Sequence, residues 1–109
     1  MRKPKKDGST KPVVRLDRFI LPYTAYTEFA NKLREIHSSL RKQEGFISDL
    51  LLEQPVSIDT IYIVTVVGWA STEAAETAKF NLSKEFDRDD IISRLRIIAD
   101  IGLFSLIEN

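Results

Sequence analysis

The 109-residue sequence contains no cysteine, and this absence excludes a large part of protein chemistry. Without thiols the chain can form no disulfide scaffold, thiolate nucleophile, zinc finger or iron–sulfur cluster. The sequence also lacks any apolar run near the roughly 20 residues that span a bilayer. The basic start of the chain is not followed by the apolar segment of a secretory signal. We therefore expect a cytoplasmic protein that has no membrane partner.

An excess of charge of one sign is also lacking. The sequence has 16 lysines and arginines against 16 aspartates and glutamates, but the cations are concentrated at the start. We interpret residues 1–12 as a flexible basic tail and residues 13–109 as one domain. The remainder of the chain is correspondingly acidic. Because nucleic-acid binding needs an extended basic face, we expect no nucleic-acid partner.

The residues that are present predict a globular α+β domain, with 43% hydrophobic and 29% charged residues. Side-chain alternation, helical periodicity and turn residues predict four strands and two helical regions. The predicted strands cover 13–21, 46–54, 61–69 and 101–108. The predicted helices cover 24–43, capped by Thr24, and the region after Ser71 or Thr72, with a break and a second helical stretch within 80–99. This β-α-β-β-α-β order predicts a ferredoxin-like fold, with a four-stranded antiparallel sheet and helices on one face.

The sheet face without helices is predicted to be apolar, which marks it as an interface. Its predicted members are Val14, Leu16, Ile20, Tyr62, Val64, Val66, Phe104 and Leu106. Pairing of two identical faces is the commonest way to bury such a surface, so we expect a homodimer.

Three segments resemble the antibiotic biosynthesis monooxygenase domains, a family of dimeric α+β barrels. They are VVRLDRFILP at the first strand, RKQEGFISDLLLEQ at the helix–strand junction, and IVTVVGWASTEAAETA at the central strand and following helix. The resemblance implies oxidation of electron-rich aromatics by O2 without metal or flavin, so we expect no cofactor and no metal. Many members of the family have no established activity.

A haem-degrading branch of that family uses an Asn on the first strand, the Trp, and a His on the second helix. This sequence has Asp17 at the first position and Trp69 at the second. The second-helix position is Ala78, Lys79 or Phe80, depending on the alignment. Since none of these side chains is a histidine, we do not expect haem degradation.

Three residues are candidates for catalysis. Trp69 is either a core aromatic or the wall of a pocket for a flat substrate, with its indole N–H as a donor. Asp17 is either a general base or the ion-pair partner of Arg15. His37, the only histidine, is either a structural helix residue or a proton shuttle at the pocket mouth. The predicted substrate-binding residues are Arg15, Phe19, Phe29, Leu33 and Thr65.

Three functions are compatible with these residues. The first is a cofactor-independent monooxygenase that oxidises a phenol, hydroquinone or anthrone. The second is a non-enzymatic dimer that binds a small hydrophobic molecule, and the third is a structural module with a filled core. A cavity between Trp69 and the first helix, and the pairing of any acid or histidine inside it, separates the three.

Overall fold

The computed structural model describes residues 11–107, so most of the predicted basic tail at 1–12 lies outside the described residues. Four strands and three helices follow one another in the order β-α-β-β-α-α-β. They are β1 (Val13–Pro22), α1 (Tyr26–Leu40), β2 (Phe46–Pro55), β3 (Thr60–Trp69), α2 (Thr72–Ser83), α3 (Arg88–Arg94) and β4 (Ile98–Ser105). Within this part of the chain, no helix is both long and apolar enough to cross a membrane.

The four strands form one antiparallel sheet in the order β2-β3-β1-β4. The inner strands β1 and β3 pair without interruption from Val13 opposite Trp69 to Pro22 opposite Thr60. On β3 the residues alternate strictly between buried and half-buried, since the helices cover only one face. The predicted α+β, ferredoxin-like architecture is confirmed.

Several predicted boundaries differ from the structure. Helix α1 ends at Leu40 rather than at residue 43, and β4 ends at Ser105 rather than at residue 108. Thr24 does not cap α1, because a 3-10 turn at Tyr23–Ala25 precedes the helix and no side chain caps its first residue. The last strand begins at Ile98, three residues before the predicted position, because Arg96 ends the helical region with a φ of 58°. A left-handed arginine has no sequence signal, so helical periodicity alone places Ile98 in the helix.

The start of α2 and the break that follows it agree with the prediction. Ser71 caps α2, with the backbone N–H of Ala74 donating to its hydroxyl oxygen at 3.1 Å. The predicted break after α2 spans the residues before Asp87, whose carboxylate accepts from the N–H of Asp90 at 3.0 Å and starts α3. This second cap turns the chain back so that α3 lies over the sheet.

The core between sheet and helices consists of two separate apolar clusters. One contains Phe19, Leu21, Ala25, Phe29, Leu33, Ile61, Ile63, Ile91 and Ile97. The other contains Val13, Val67, Trp69, Ala75 and Ala78. Between them, on the same face of the sheet, lie the buried polar residues Asp17 and Thr65, which are directly opposite each other on β1 and β3.

Gly45 makes the turn from α1 into β2, and its φ of 86° is a conformation that other residues rarely adopt. A Cβ placed there would clash with the Cβ of Ala74 on α2. We predict that Gly45→Ala lowers the free energy of unfolding by roughly 1–3 kcal/mol through backbone strain alone, and further through the clash. Urea denaturation measures this loss.

Gly68→Ala is the matched control for that substitution. Gly68 has no positive φ, and an added Cβ would lie 3.1 Å from the hydroxyl oxygen of Ser48, at the end of a short side chain. We expect a smaller loss of stability than at Gly45. Equal losses for the two variants would contradict the assignment of strain to Gly45.

Candidate functional site

A cavity of about 430 Å³ lies between the helices and the sheet, at the gap between the two apolar clusters. Its walls come from β1, β3 and all three helices. The apolar lining consists of Leu33, Ile36, Leu40, Val67, Trp69, Ala75, Leu82 and Phe86, and the polar lining includes Arg15, Asp17, His37, Thr65, Lys79 and Arg88. Its volume falls in the range of small-molecule sites, which combine apolar walls with a few polar groups.

Asp17 is the central carboxylate of this cavity, and both of its oxygens are engaged. Arg15 Nε lies 3.4 Å from Oδ1, and Arg88 Nη1 donates to Oδ2 at 2.9 Å. The predicted pairing with Arg15 is present, but the closer partner is Arg88 on α3. Accepting a proton on either oxygen of Asp17 would disrupt one of these ion pairs.

His37 is almost fully buried, at 3% exposure. Its Nδ1 lies 2.9 Å from Oδ2 of Asp49 on β2. Arg41, one helical turn further along, binds both oxygens of the same carboxylate, at 3.3 Å and 2.9 Å. The result is a hydrogen-bonded series from Arg41 through Asp49 to His37.

A β-bulge brings Asp49 into this series. The register of β2 against β3 shifts between Phe46 and Ser48, so that Phe46 is opposite Trp69 and Asp49 is opposite Val67. The extra residue reverses the alternation, and both Phe46 and Asp49 therefore face the helices. Without the bulge, Asp49 would lie on the helix-free face, out of reach of His37.

The ionisation of this pair follows from its surroundings. Burial lowers the pKa of His37, and the hydrogen bond that it donates to Asp49 opposes this only in part. Burial alone would raise the pKa of Asp49, but the hydrogen bonds from Arg41 and His37 outweigh it and lower the pKa. An ionised Asp49 accepts only, so Nδ1 of a neutral His37 carries the proton, and the lone pair is on Nε2.

Trp69 closes one end of the cavity. Its ring is 2% exposed and packs edge-to-face against Phe46, with ring centroids 5.9 Å apart and an angle of 88° between the planes. Ala78 on α2 belongs to the same apolar cluster, so the small second-helix residue lies next to Trp69. A methyl group cannot ligate iron, and that helix position therefore does not fit haem.

The structure divides the predicted substrate-binding residues into two groups. Arg15, Leu33 and Thr65 line the cavity together with the candidate catalytic residues Asp17, His37 and Trp69. Phe19 and Phe29 do not. Their ring centroids are 4.9 Å apart, and both side chains are fully buried. They therefore fill the core and do not form a wall of the cavity.

Three participants were not predicted as site residues. Asp49 was missed because a bulge has no clear sequence signal, and Arg41 because its charge fits a helix C-terminus equally well. Arg88 was missed because its placement depends on how α3 turns back over the sheet. Within residues 11–107, no group of three or more histidine, aspartate or glutamate side chains could hold a metal ion.

Solved structures share this fold over nearly their whole length. The cofactor-independent oxygenase SnoaB from Streptomyces nogalater is 19% identical, with 91% of this chain and 96% of that chain aligned at a TM-score of 0.69. A candidate antibiotic biosynthesis monooxygenase from Bacillus cereus is 17% identical, covering 91% and 96% at 0.60. A haem-degrading protein from Mycobacterium tuberculosis is 20% identical, covering 90% and 96% at 0.58.

The chain therefore has the fold of the antibiotic biosynthesis monooxygenases, as the sequence resemblance implies. No protein-family model matches the sequence, and no curated protein is similar to it. Proteins that share this fold perform different reactions, so the fold does not decide the chemistry, and the site residues must do so.

The lowered pKa of His37 predicts how stability changes with pH. In the unfolded chain a histidine titrates near 6.5, whereas in the folded protein it does so at lower pH. Between these two values the unfolded chain binds more protons, so the stabilisation is complete above about pH 6.5 and is lost as the pH falls. We predict a lower free energy of unfolding at pH 5.5 than at pH 7.5, with a slope of up to about 1.4 kcal/mol per pH unit.

His37→Gln removes the titrating group and should flatten this slope in urea denaturation at one fixed protein concentration. Glu28→Gln, on the exposed side of α1, is the control and should keep the slope of the parent. If His37→Gln and the parent have the same slope, the histidine is not the source of the pH dependence.

Proposed function

We propose that this protein is a cofactor-independent monooxygenase of the antibiotic biosynthesis type, and that it oxidises a small electron-rich aromatic with O2. The observation that carries the proposal is the pair of His37 and Asp49 beside an apolar cavity closed by Trp69. A neutral, buried imidazole with one nitrogen fixed by a carboxylate has the arrangement of a general base. The fold shared with SnoaB, a cofactor-independent oxygenase, supports the same reaction class.

The chemistry balances without a cofactor. Nε2 of His37 accepts the hydroxyl proton of a phenol or hydroquinone, or an activated C–H proton of an anthrone, and Asp49 stabilises the imidazolium that forms. The resulting anion transfers one electron to O2, and the radical pair combines to a peroxide on the ring carbon. Loss of water from that peroxide leaves a quinone carbonyl. One oxygen atom enters the product, the other leaves as water, and the substrate supplies all four electrons.

The cavity supports these steps by its shape and by its buried inner wall. Thr65 and Trp69 are each less than 5% exposed, and the aliphatic side chains of Leu33, Val67 and Leu82 line the cavity beside the polar groups. A site that excludes water protects a radical pair and a ring peroxide from side reactions. Trp69 offers a flat wall and one N–H donor for the orientation of a planar ring.

His37 is a better candidate for the base than Asp17. Both oxygens of Asp17 are engaged by guanidinium groups, whereas neutral His37 keeps one nitrogen lone pair. Asp17 is then an anchor that holds Arg15 and Arg88 at the cavity wall. Arg41 has a supporting role, because it keeps Asp49 ionised and correctly placed for His37.

The test is oxygen uptake by chelator-treated protein over a panel of phenols, hydroquinones and hydroxyanthrones. We predict that His37→Gln lowers turnover by roughly 10²–10⁴ and that Asp49→Asn gives a smaller loss, because the imidazole remains present. Glu28→Gln, which removes an exposed carboxylate from the same helix, should leave turnover unchanged. With 18O2, one labelled oxygen should appear in each product molecule.

Simple autoxidation gives a different result, because it converts O2 to hydrogen peroxide. Catalase added after the reaction would then return half of the oxygen consumed, whereas monooxygenation returns none. Peroxide formation, or uptake equal to that of buffer for every compound, would remove the enzyme proposal in favour of a ligand-binding dimer. A loss in Asp17→Asn as large as in His37→Gln would make Asp17 the base.

We also propose that the protein is a homodimer formed through the helix-free face of the sheet. This face leaves large apolar side chains exposed in a single chain, among them Ile20, Leu50, Leu52, Ile98 and Phe104. A contiguous apolar surface of this kind is costly to leave in water, and two copies of the same face can cover each other. Arg18 and Asp100, paired at 3.1 Å, are charged residues on that face.

Light scattering of the parent should give twice the chain mass of 12.5 kDa. We predict that Leu50→Asp yields monomers, because the new carboxylate would be buried unpaired in the interface. Leu50 is 57% exposed in the single chain, so the substitution should not disturb the core. Phe80→Asp, at an equally exposed position on α2, should remain a dimer. A stable monomer for the parent at micromolar concentration would refute the proposal.

A further inference from the structure

The buried part of the cavity wall carries more positive than negative charge. Two guanidinium groups, from Arg15 and Arg88, share the single carboxylate of Asp17. The side chains of Arg15, Arg88 and Asp17 are 15%, 25% and 5% exposed, respectively, so these three residues are largely removed from water. One positive charge is left without a buried counter-ion, and such a charge is expensive to bury unless something pairs with it.

No buried neighbour supplies the missing negative charge. Asp49 lies two strands away from Arg15 in the same row of the sheet, at roughly 10 Å, and Arg41 already binds it. His37 supplies no negative charge in either of its protonation states. Asp87 and Asp89 are exposed at the cavity mouth beside Lys79, where water screens all three.

Arg15 also has unused hydrogen-bonding capacity. Only its Nε contacts Asp17, at 3.4 Å, and its two terminal nitrogens have no hydrogen-bond partner among residues 11–107. Arg88, in contrast, directs a terminal nitrogen at Asp17 and lies over the ring of Phe19, 5.9 Å from its centroid. The free pair of N–H groups on a guanidinium matches a carboxylate in a planar, two-pronged arrangement.

We infer that the cavity binds an aromatic carboxylate, with the carboxylate on the terminal nitrogens of Arg15 and the ring between Trp69 and the aliphatic walls. The inference depends on the proposed function for the reaction that follows, but not for binding. Arg15 and Asp49 are two strands apart in one row of the sheet, and His37, which contacts Asp49, lines the same cavity as Arg15. A ring anchored at Arg15 therefore presents a hydroxyl on its far side to His37. The excess positive charge is then the device that selects acidic aromatics over neutral ones.

Binding of 2-naphthoate and 2-naphthamide, measured by titration calorimetry, tests this. The two probes have nearly the same shape and differ in charge. We expect the parent to bind the naphthoate roughly tenfold or more tightly than the naphthamide, as hydrogen bonds to charged groups imply. Arg15→Met should abolish most of this preference, and Arg15→Lys should keep part of it. Arg34→Met, an exposed arginine on α1, should keep all of it.

A second measurement distinguishes ligand binding from a structural role of Arg15. Asp17 keeps its 2.9 Å partner Arg88 in Arg15→Met, and the wall becomes neutral. We therefore expect the ligand-free variant to melt at the same temperature as the parent or higher. A drop of several degrees with an equal loss of affinity for both probes would overturn the inference, because Arg15 would then be only a support for Asp17.

Two further outcomes also overturn it. The first is equal or undetectable binding of both probes by the parent. The second is displacement of the naphthoate by acetate or inorganic phosphate at similar concentration, which would indicate an anion site without an aromatic component. Oxygen uptake with neutral hydroquinones in the absence of naphthoate selectivity would reject this inference and leave the oxygenase proposal standing. Selective naphthoate binding without any oxygen uptake would reject only the oxygenase.

Discussion

Two buried polar side chains in the middle of the helix-facing side of the sheet are the constraint on which the rest of the structure depends. Asp17 and Thr65 are opposite each other on the two inner strands, and both are less than 5% exposed. A buried carboxylate requires partners, so Arg15 and Arg88 converge on it from β1 and α3. The apolar core consequently separates into two clusters, and the cavity lies between them.

The sequence predicts the helices and strands that follow a regular periodicity. It does not predict the β-bulge in β2 or the left-handed residue before β4, where the backbone is irregular. Alternation on β1 and β3 predicts correctly that Asp17, Thr65 and Trp69 share one face, because the pairing of these strands is regular over ten residues. The same alternation fails on β2, where the bulge after Phe46 moves Asp49 to the helix side. Helical periodicity fails before β4, where a left-handed Arg96 ends the helical region early.

Candidate site residues follow the same division. Alternation in the inner strands and helical periodicity in the first helix predict which side chains face inward. They do not predict which of these side chains fill the core and which line a cavity. Phe19 and Phe29 face inward and pack against each other within the first apolar cluster, so they fill the core and do not line the cavity. Leu33, one turn beyond Phe29, contributes to that cluster and to the cavity wall as well. This distinction depends on volumes that only the assembled structure provides.

Asp17 and Asp49 illustrate how the surroundings assign different roles to identical side chains. Asp49 is held by Arg41 at the edge of the sheet, and this carboxylate keeps the histidine in one tautomer with its free lone pair on Nε2. Asp17 pairs with two arginines in the interior, and its single negative charge neutralises only one of them. The cavity therefore contains a proton acceptor, Nε2 of His37, and an unneutralised guanidinium group. An acidic aromatic with a hydroxyl group complements both, since its anion pairs with the cation while its hydroxyl meets the base.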